Sequence, residues 1–171
     1  YQQVINSLTE SGLNIIEHPN VRSNPVLSHV RSGIQLVKEN CCQVVCAVGG
    51  GSVIDEAKAI CAGSVVEFDV WKFFTGKKSI KKVLPLTCVL TMAATGSEMN
   101  SGMVITNEEK KLKFGFGNKR LFPKTSILDP EATYSVPANY TAYGAVDAIS
   151  HVLEFYFTTQ VQSTPIQDRF I

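Results

Sequence analysis

Val44-Val45-Cys46-Ala47-Val48-Gly49-Gly50-Gly51-Ser52, residues 44–52, is the stretch that decides the fold. The apolar run over residues 43–48 does not alternate with polar residues, which is typical of a strand covered on both faces in a parallel sheet. Three glycines then make a turn, and apolar residues at helical spacing resume over residues 53–62. A buried strand, a glycine turn and a helix in this order predict an α/β fold.

Elements on both sides extend this alternation. The sequence Ser23-Asn24-Pro25 is a capping and first-turn signal for a helix that follows it. The predicted helices cover residues 4–8, 26–37 and 140–157, with another beginning near residue 164. The predicted strands cover residues 13–17, 83–91 and 125–128, together with a hairpin of residues 102–106 and 112–116. We therefore predict a dinucleotide-binding α/β domain over residues 1–136 and the beginning of a helical domain over residues 137–171.

Composition places the chain among ordinary globular proteins. Of its 171 residues 44% are hydrophobic and 18% charged, and 16 Lys and Arg against 15 Asp and Glu give a net charge of +1. A domain of this length buries a sizeable core, which excludes disorder and small stapled scaffolds. A near-neutral charge argues against nucleic acid as a partner. The longest apolar stretches fall far short of the roughly 20 residues that span a bilayer, so we predict no membrane span.

Cysteine usage and the two ends of the chain carry further expectations. The five cysteines are odd in number and lie in apolar segments without metal-site spacing, so we expect reduced core residues in a cytoplasmic protein. The sequence opens without Met and stops within a helical pattern, so we expect a fragment cut at both ends.

Two glycine-bearing turns are candidate ligand sites. Gly49-Gly50-Gly51-Ser52 suits a dinucleotide pyrophosphate, because glycines let an anion approach the backbone at the positive end of a helix. A tight turn that needs a positive φ explains the same residues equally well. The second turn, residues 91–98, offers hydroxyls and small residues at the same expected sheet edge. Its alternative is an ordinary helix start, since Thr95 to Glu98 fits a capping box.

Asp147 and His151 are the candidate metal ligands. They lie four residues apart in the predicted helix 140–157, so both side chains leave the same helix face and can converge on one divalent ion. A hydrogen-bonded pair without metal is the alternative. The remaining histidines, His18 and His29, are interpreted as ordinary residues without a site.

These stretches together resemble the iron-dependent (group III) alcohol dehydrogenase family, within it the butanol dehydrogenase and NADPH-dependent aldehyde reductase subgroup. The resemblance covers essentially the whole chain. It rests on Ala47-Val48-Gly49-Gly50-Gly51-Ser52-Val53-Ile54-Asp55 with Lys58 and Ala59, Ala94-Thr95-Gly96-Ser97-Glu98-Met99-Asn100, Leu128-Asp129-Pro130, residues 144–154 and Ile166-Gln167-Asp168-Arg169-Phe170.

The resemblance implies a Rossmann-type, dehydroquinate-synthase-like nucleotide-binding domain followed by an all-helical metal-binding domain. It also implies NADP(H) or NAD(H) as cofactor and Fe²⁺ or Zn²⁺ as metal. By this resemblance the pyrophosphate would be held by Gly49, Gly50, Gly51 and Ser52, and Asp55 would lie close to the cofactor. Thr91 and Thr95 would line its adenine and ribose side, and Lys113 would reach the nicotinamide ribose. Asp147 and His151 would be two of four metal ligands, and the other two, histidines further along in the family, have no counterpart after His151.

The resemblance further implies a metal-dependent oxidoreductase that transfers a hydride between NAD(P)H and an aldehyde or primary alcohol such as butanal or butanol. A homo-oligomer, as a dimer, is the expected assembly. Two alternatives stay open: a nucleotide-binding fragment without catalysis, and a glycerol-dehydrogenase-like polyol dehydrogenase on the same scaffold.

Overall fold

A computed structural model describes residues 1–158 of the chain. Five α-helices and five strands follow one another in the order α1, α2, β1, α3, α4, β2, β3, β4, β5, α5 within this range. The helices are α1 (Gln2–Glu10), α2 (Leu27–Glu39), α3 (Gly51–Gly63), α4 (Trp71–Phe74) and α5 (Ala138–Thr158). The strands are β1 (Val45–Gly49), β2 (Leu86–Leu90), β3 (Gly102–Asn107), β4 (Leu112–Gly117) and β5 (Thr125–Ile127).

The sheet that carries the candidate site is parallel. Its strand order is β1-β2-β5, and β1 pairs with β2 in the register Val45↔Leu86 through Gly49↔Leu90. Strands β3 and β4 form a separate antiparallel hairpin. Parallel strands joined by a crossover that includes a helix are the mark of an α/β unit, so the predicted fold class and the predicted hairpin are confirmed.

Helix α3 lies between two apolar clusters. Ile54, Ala57 and Cys61 pack against the side chains of β1 and β2, including the buried Leu86 and Cys88. Residues on the other faces of α3 join a larger cluster, whose buried members are Leu27, Val30, Ala59, Ile60, Ala62, Val70, Trp71, Phe73, Phe74, Ile80, Met103, Ile105 and Leu121. Because α3 is covered on both sides, its polar side chains must find partners inside the fold.

The predicted strand over residues 13–17 is wrong. These residues form no regular element, and Leu13 is 56% exposed. A strand needs a neighbour to satisfy its backbone groups, and the only bridge recorded beside this region within residues 1–158 joins Val26 to Thr106. β-Branched residues alone therefore do not make a strand here.

Two predicted boundaries also move. Helix α2 starts at Leu27 without a side-chain cap, because Asn24 lies in the left-handed region with φ 57° and its Oδ1 accepts a hydrogen bond from Lys113 instead. The strand predicted over residues 83–91 shortens to Leu86–Leu90, since Pro85 has no N–H to donate to a ladder. The predicted helix near residue 164 and the Ile166–Phe170 motif lie outside the described residues.

A search of the described residues finds no helix both long and apolar enough to cross a membrane.

Candidate functional site

The first glycine turn joins β1 directly to α3. Positive φ among the described glycines occurs at Gly12, Gly76 and Gly96, so the tight-turn alternative for Gly49, Gly50 and Gly51 is wrong. What glycine supplies here is space. A Cβ on Gly49 would lie 2.5 Å from Val53 Cγ2, and a Cβ on Gly51 would lie 2.3 Å from Thr95 Oγ1.

The N-terminus of α3 has no side-chain cap. Its N-cap residue, Gly50, has an extended backbone, and no side chain bonds to the first amides of the helix. Uncapped N–H groups and the positive end of the helix dipole favour an anion. Ser52, in the first turn, is half-buried. The turn therefore has the chemistry that a pyrophosphate requires, and pyrophosphate binding stays a prediction.

The second turn faces the first across the sheet edge. Thr91 N–H donates to Gly49 O over 3.2 Å, directly after the last register pair of β1 and β2. The capping-box alternative is wrong, because Gly96 takes φ 63° and only a short 3₁₀ turn, Ser97–Met99, follows it. The left-handed glycine turns the chain before a regular helix can form. The predicted meeting of both turns at one edge is confirmed.

Asp55 ties α3 to the second turn and to the hairpin. Its carboxylate accepts a hydrogen bond from Ser97 Oγ at 2.5 Å and another from the backbone N–H of Val104 at 2.9 Å. Burial raises the pKa of Asp55 above its usual range, while these hydrogen bonds and the charges of Lys58 and Lys113 oppose the shift. The carboxylate is thus engaged with the protein itself.

Lys58, one turn further along α3, is fully buried. Its ammonium donates to Ser97 O at 2.7 Å, Ser97 Oγ at 2.9 Å, Asn100 Oδ1 at 3.0 Å and Gly102 O at 2.7 Å. Burial lowers the pKa of Lys58 to about 8, against the opposing charge of Asp55. From the sequence, Lys58 was identified only as one of the residues that carry the family resemblance. Its i, i+3 spacing from Asp55 in an apolar helix is the signal for an internal charge network.

The other residues assigned to cofactor binding lie around this network. Thr91 is half-buried and Thr95 is exposed, both on the second turn. Lys113 is exposed on β4, where its Nζ donates to Asn24 Oδ1 at 2.6 Å. Its charge also lowers the pKa of Asp55, so the hairpin brings Lys113 within electrostatic range of α3. Contact of these side chains with a cofactor stays a prediction.

Asp147 and His151 lie together on α5. Asp147 Oδ2 and His151 Nε2 are 3.7 Å apart, and both side chains are about half exposed, at 45% and 51%. An oxygen and a nitrogen donor on one accessible helix face fit a first-row divalent metal as two of its ligands.

Helix α5 lies against the second turn. Gly144 is buried, and a Cβ there would lie 2.9 Å from Ala93 O. This close approach places Asp147 one turn of α5 beyond the contact. The structure thus brings the candidate metal ligands and the candidate cofactor turns to one region of the molecule.

A histidine cluster, formed by the partly exposed His18 and His29 and the buried Glu56, was missed by the sequence analysis. His29 Nδ1 is 2.6 Å and His18 Nε2 3.6 Å from Glu56 Oε1, and the imidazole rings stack at 4.1 Å between centroids. Burial raises the pKa of Glu56 and lowers that of His18. The three residues are far apart in the chain, so local sequence carried no signal for the cluster.

Known proteins resemble this chain in sequence. A family model described as "Iron-containing alcohol dehydrogenase" matches residues 1–130. "Probable NADH-dependent butanol dehydrogenase 1" of Bacillus subtilis (strain 168) is 52% identical over 169 residues, which are 99% of this chain and 43% of that protein. "NADPH-dependent aldehyde reductase YqhD" of Escherichia coli (strain K12) is 39% identical over 171 residues, covering 98% of this chain and 43% of that protein.

A solved structure resembles the fold as well. The crystal structure of NADH-dependent butanol dehydrogenase A from Thermotoga maritima superimposes with a TM-score of 0.89 at 50% identity. The match covers 92% of this chain and 39% of that one. The chain therefore spans about two fifths of the length of the relatives that it matches.

Proposed function

The chain belongs to the iron-containing alcohol dehydrogenase family, and from this premise we propose that its protein transfers a hydride between NAD(P)H and an aldehyde or primary alcohol such as butanal or butanol. The membership confirms the resemblance inferred from the motifs. The observation that carries the proposal is the convergence of two turns and the α5 pair: Gly51 leaves room for Thr95, and Gly144 lets α5 approach the second turn.

The proposed cofactor site follows the two turns. The uncapped start of α3 supports binding of the pyrophosphate, and the exposed Lys113 offers a positive charge within electrostatic range of Asp55 on the same helix. The residues proposed to contact the cofactor are Gly49, Gly50, Gly51, Ser52, Thr91, Thr95 and Lys113. For Asp55 we propose an indirect role, because its carboxylate already accepts hydrogen bonds from Ser97 and Val104 and so holds the second turn and hairpin in place.

The proposed metal site uses Asp147 and His151. Fe²⁺ or Zn²⁺ held there supplies a Lewis acid for the carbonyl oxygen, and the nicotinamide supplies the hydride. The part of this chain is to present one carboxylate and one imidazole from α5, close to the turn that receives the cofactor. An oxygen and nitrogen donor set does not by itself separate iron from zinc.

A nucleotide-binding module without catalysis is the second candidate. It is favoured by the uncapped start of α3, which offers anion-binding N–H groups without any contribution from the α5 pair. The polyol dehydrogenase alternative has no observation in its favour among the described contacts.

The decisive experiment separates cofactor binding from metal-dependent turnover. We expect Asp147→Ala and His151→Ala to abolish bound iron or zinc and butanal-dependent NADPH oxidation, while NADPH affinity in a fluorescence titration stays within about twofold. Turnover that persists in metal-free variants would overturn the metal-dependent proposal. NADPH binding that is indifferent to metal, with no turnover in any metal-loaded preparation, would favour the module.

Two further features of the whole protein are proposals. A cytoplasmic location is supported by the five free cysteines. A homodimer is proposed from the family resemblance alone, since the apolar side chains that α5 exposes, such as Tyr143 and Val146, belong to a chain that spans 43% of its relative. Light scattering of the purified protein tests the second proposal directly.

A further inference from the structure

Among the described residues, one carboxylate oxygen of the histidine cluster lacks a hydrogen-bond partner. Glu56 is 1% exposed on α3, and its Oε2 has no hydrogen-bond partner in the described fold. The ion pairs recorded for Glu56 within residues 1–158 are to His18 and His29, with neither Lys nor Arg among them. A buried carboxylate with unsatisfied oxygen is costly unless a positive charge reaches it.

The two imidazoles approach the same carboxylate oxygen from outside. His18 and His29 keep 23% and 25% of their side chains exposed, so an ion can enter from solvent on their side. Gly33 on α2 makes room for one of them, since a Cβ there would lie 3.0 Å from His18 Nε2. The two imidazole rings of the cluster are thus accessible to solvent, whereas its carboxylate is buried.

We propose that His18, His29 and Glu56 form a second metal site, separate from the α5 pair, which takes a divalent transition ion such as Zn²⁺. Two imidazole nitrogens and one carboxylate are a common zinc donor set. The candidate ligand atoms all lie within 4.8 Å of one another.

The spacing of the donor atoms suits this ion after two adjustments. One of them is that His18 Nε2 must give up its 3.2 Å hydrogen-bond contact with the backbone oxygen of His29. Ligands about 2.0–2.1 Å from a tetrahedral zinc are about 3.3 Å apart. His18 Nε2 and Glu56 Oε1 are already 3.6 Å apart, while His29 Nδ1 and Glu56 Oε1 at 2.6 Å must separate by about 0.7 Å. That separation replaces the proton of their hydrogen bond with the metal ion.

The site would stabilise the packing of the fold and would take no part in hydride transfer. His18 lies in the connection between α1 and α2, His29 lies on α2, and Glu56 lies on α3 between Asp55 and the buried Lys58. A bound ion would fasten the connection and α2 to α3, the helix that begins at the first glycine turn and contacts Ser97 of the second. The inference does not depend on the catalytic proposal, because no residue of the cluster belongs to the proposed cofactor or α5 site.

The test uses a His151→Gln protein, which removes the imidazole of the α5 pair and leaves His18 and His29 unchanged. The chelator-treated protein is titrated with ZnCl₂ alone by calorimetry, and with CoCl₂ to follow visible absorption. We expect about one zinc per chain and a cobalt spectrum of low coordination number. Adding His18→Gln should weaken zinc binding at least tenfold, because one of three protein ligands is lost.

Fold controls keep the test interpretable. His18→Gln leaves the 2.6 Å bond between His29 and Glu56 in place but removes the contact with His29 O and the stacked ring. Metal-free far-ultraviolet circular dichroism should therefore match the background protein, while the urea midpoint should fall only slightly, because His18 is partly exposed. Glu56→Gln is the second variant and should also abolish the cobalt absorption. No zinc uptake by the His151→Gln protein, or less than a tenfold change on adding His18→Gln, would overturn the site. NADPH titration of the same samples reports separately on the proposed function.

Discussion

Helices α3 and α5 each carry polar residues of a candidate site, but these side chains are largely buried on α3 and half exposed on α5. On α3, Asp55 and Lys58 contact the second turn through hydrogen bonds of 2.5–3.0 Å, and Lys58 is fully buried. On α5, Asp147 and His151 are about half exposed and lie 3.7 Å apart. The polar groups of α3 are therefore part of the fold, and those of α5 are accessible to a ligand.

The apolar side chains show the same difference. Ile54 and Ala59 of α3 have no exposed surface, whereas Ile149 of α5 is 57% exposed. A helix covered on both sides can hold charges only where oxygens and nitrogens meet them. Substitutions on α3 should consequently change stability, and substitutions on α5 should change ligand binding with little effect on stability.

Lys58→Met should cause the largest loss. It removes the ammonium but leaves Ser97 O, Asn100 Oδ1 and Gly102 O buried without their donor. Breaking a buried network on one side costs about 3–5 kcal/mol of unfolding free energy. Urea unfolding followed by circular dichroism measures the change.

Lys81→Met is the matched control, because Lys81 is exposed in the loop before β2. Its effect should stay within about 0.5 kcal/mol. If Lys58→Met cost less than 1.5 kcal/mol more than this control, the network would not stabilise α3, and the contrast between the helices would fail.

Cys61 on α3 should be nearly inert to thiol reagents. Burial raises the pKa of Cys61 to about 12, so its thiolate is scarce at pH 8, whereas Cys41 is exposed. We expect modification of Cys61 to be more than about 100-fold slower than that of Cys41, since the thiolate is the reacting species. Mass spectrometry of iodoacetamide-labelled peptides over time measures both rates. Comparable rates would mean that α3 opens readily to solvent.

Gly51→Ala should destabilise the protein by about 1–3 kcal/mol, as overpacking typically does. The added Cβ would lie 2.3 Å from Thr95 Oγ1 and 2.8 Å from Thr95 Cγ2. Gly50→Ala is the control, because its Cβ meets Met92 at an ordinary 3.5 Å. Urea midpoints of both variants test whether space, rather than backbone conformation, explains the first glycine turn.

Thr95→Ala in the Gly51→Ala background removes both crowded atoms. It should restore most of the lost stability, which a double-mutant cycle expresses as a coupling free energy. A coupling near zero would contradict the close contact between the two turns.

The sequence predicted those features that depend on local pattern. The apolar run before Gly49, the spacing of α3 and the hairpin are set by residues a few positions apart, and the structure confirms them. The predicted strand over residues 13–17 is wrong because a strand depends on a neighbour that local sequence does not specify. The helix expected after Thr95 is replaced by a left-handed turn at Gly96.

The residues of the candidate site also fall into those that local sequence predicts and those that it does not. The glycine turns and the pair on α5 could be identified from spacing along the chain. The roles of Asp55 and Lys58 could not, because their partners, Ser97, Asn100 and Val104, are about forty or more positions away. His18 and His29 were interpreted as ordinary residues, since only the tertiary fold places the connection before α2 and α2 itself beside Glu56 of α3.

The same change, aspartate to asparagine, can be made on both helices, and the smallest effect is expected on α5. Asp147→Asn should change the unfolding free energy of the metal-free protein by less than about 0.5 kcal/mol, because its half-exposed contact with His151 is weak in water. Asp55→Asn should cost about 1–3 kcal/mol, because the amide oxygen can accept only one of the two hydrogen bonds from Ser97 and Val104, and the amide nitrogen cannot accept the other. Urea unfolding of both variants in chelator compares one chemical change in two settings. Equal losses would show that Asp147 is as much a part of the fold as Asp55, and its assignment as a metal ligand would lose its structural support.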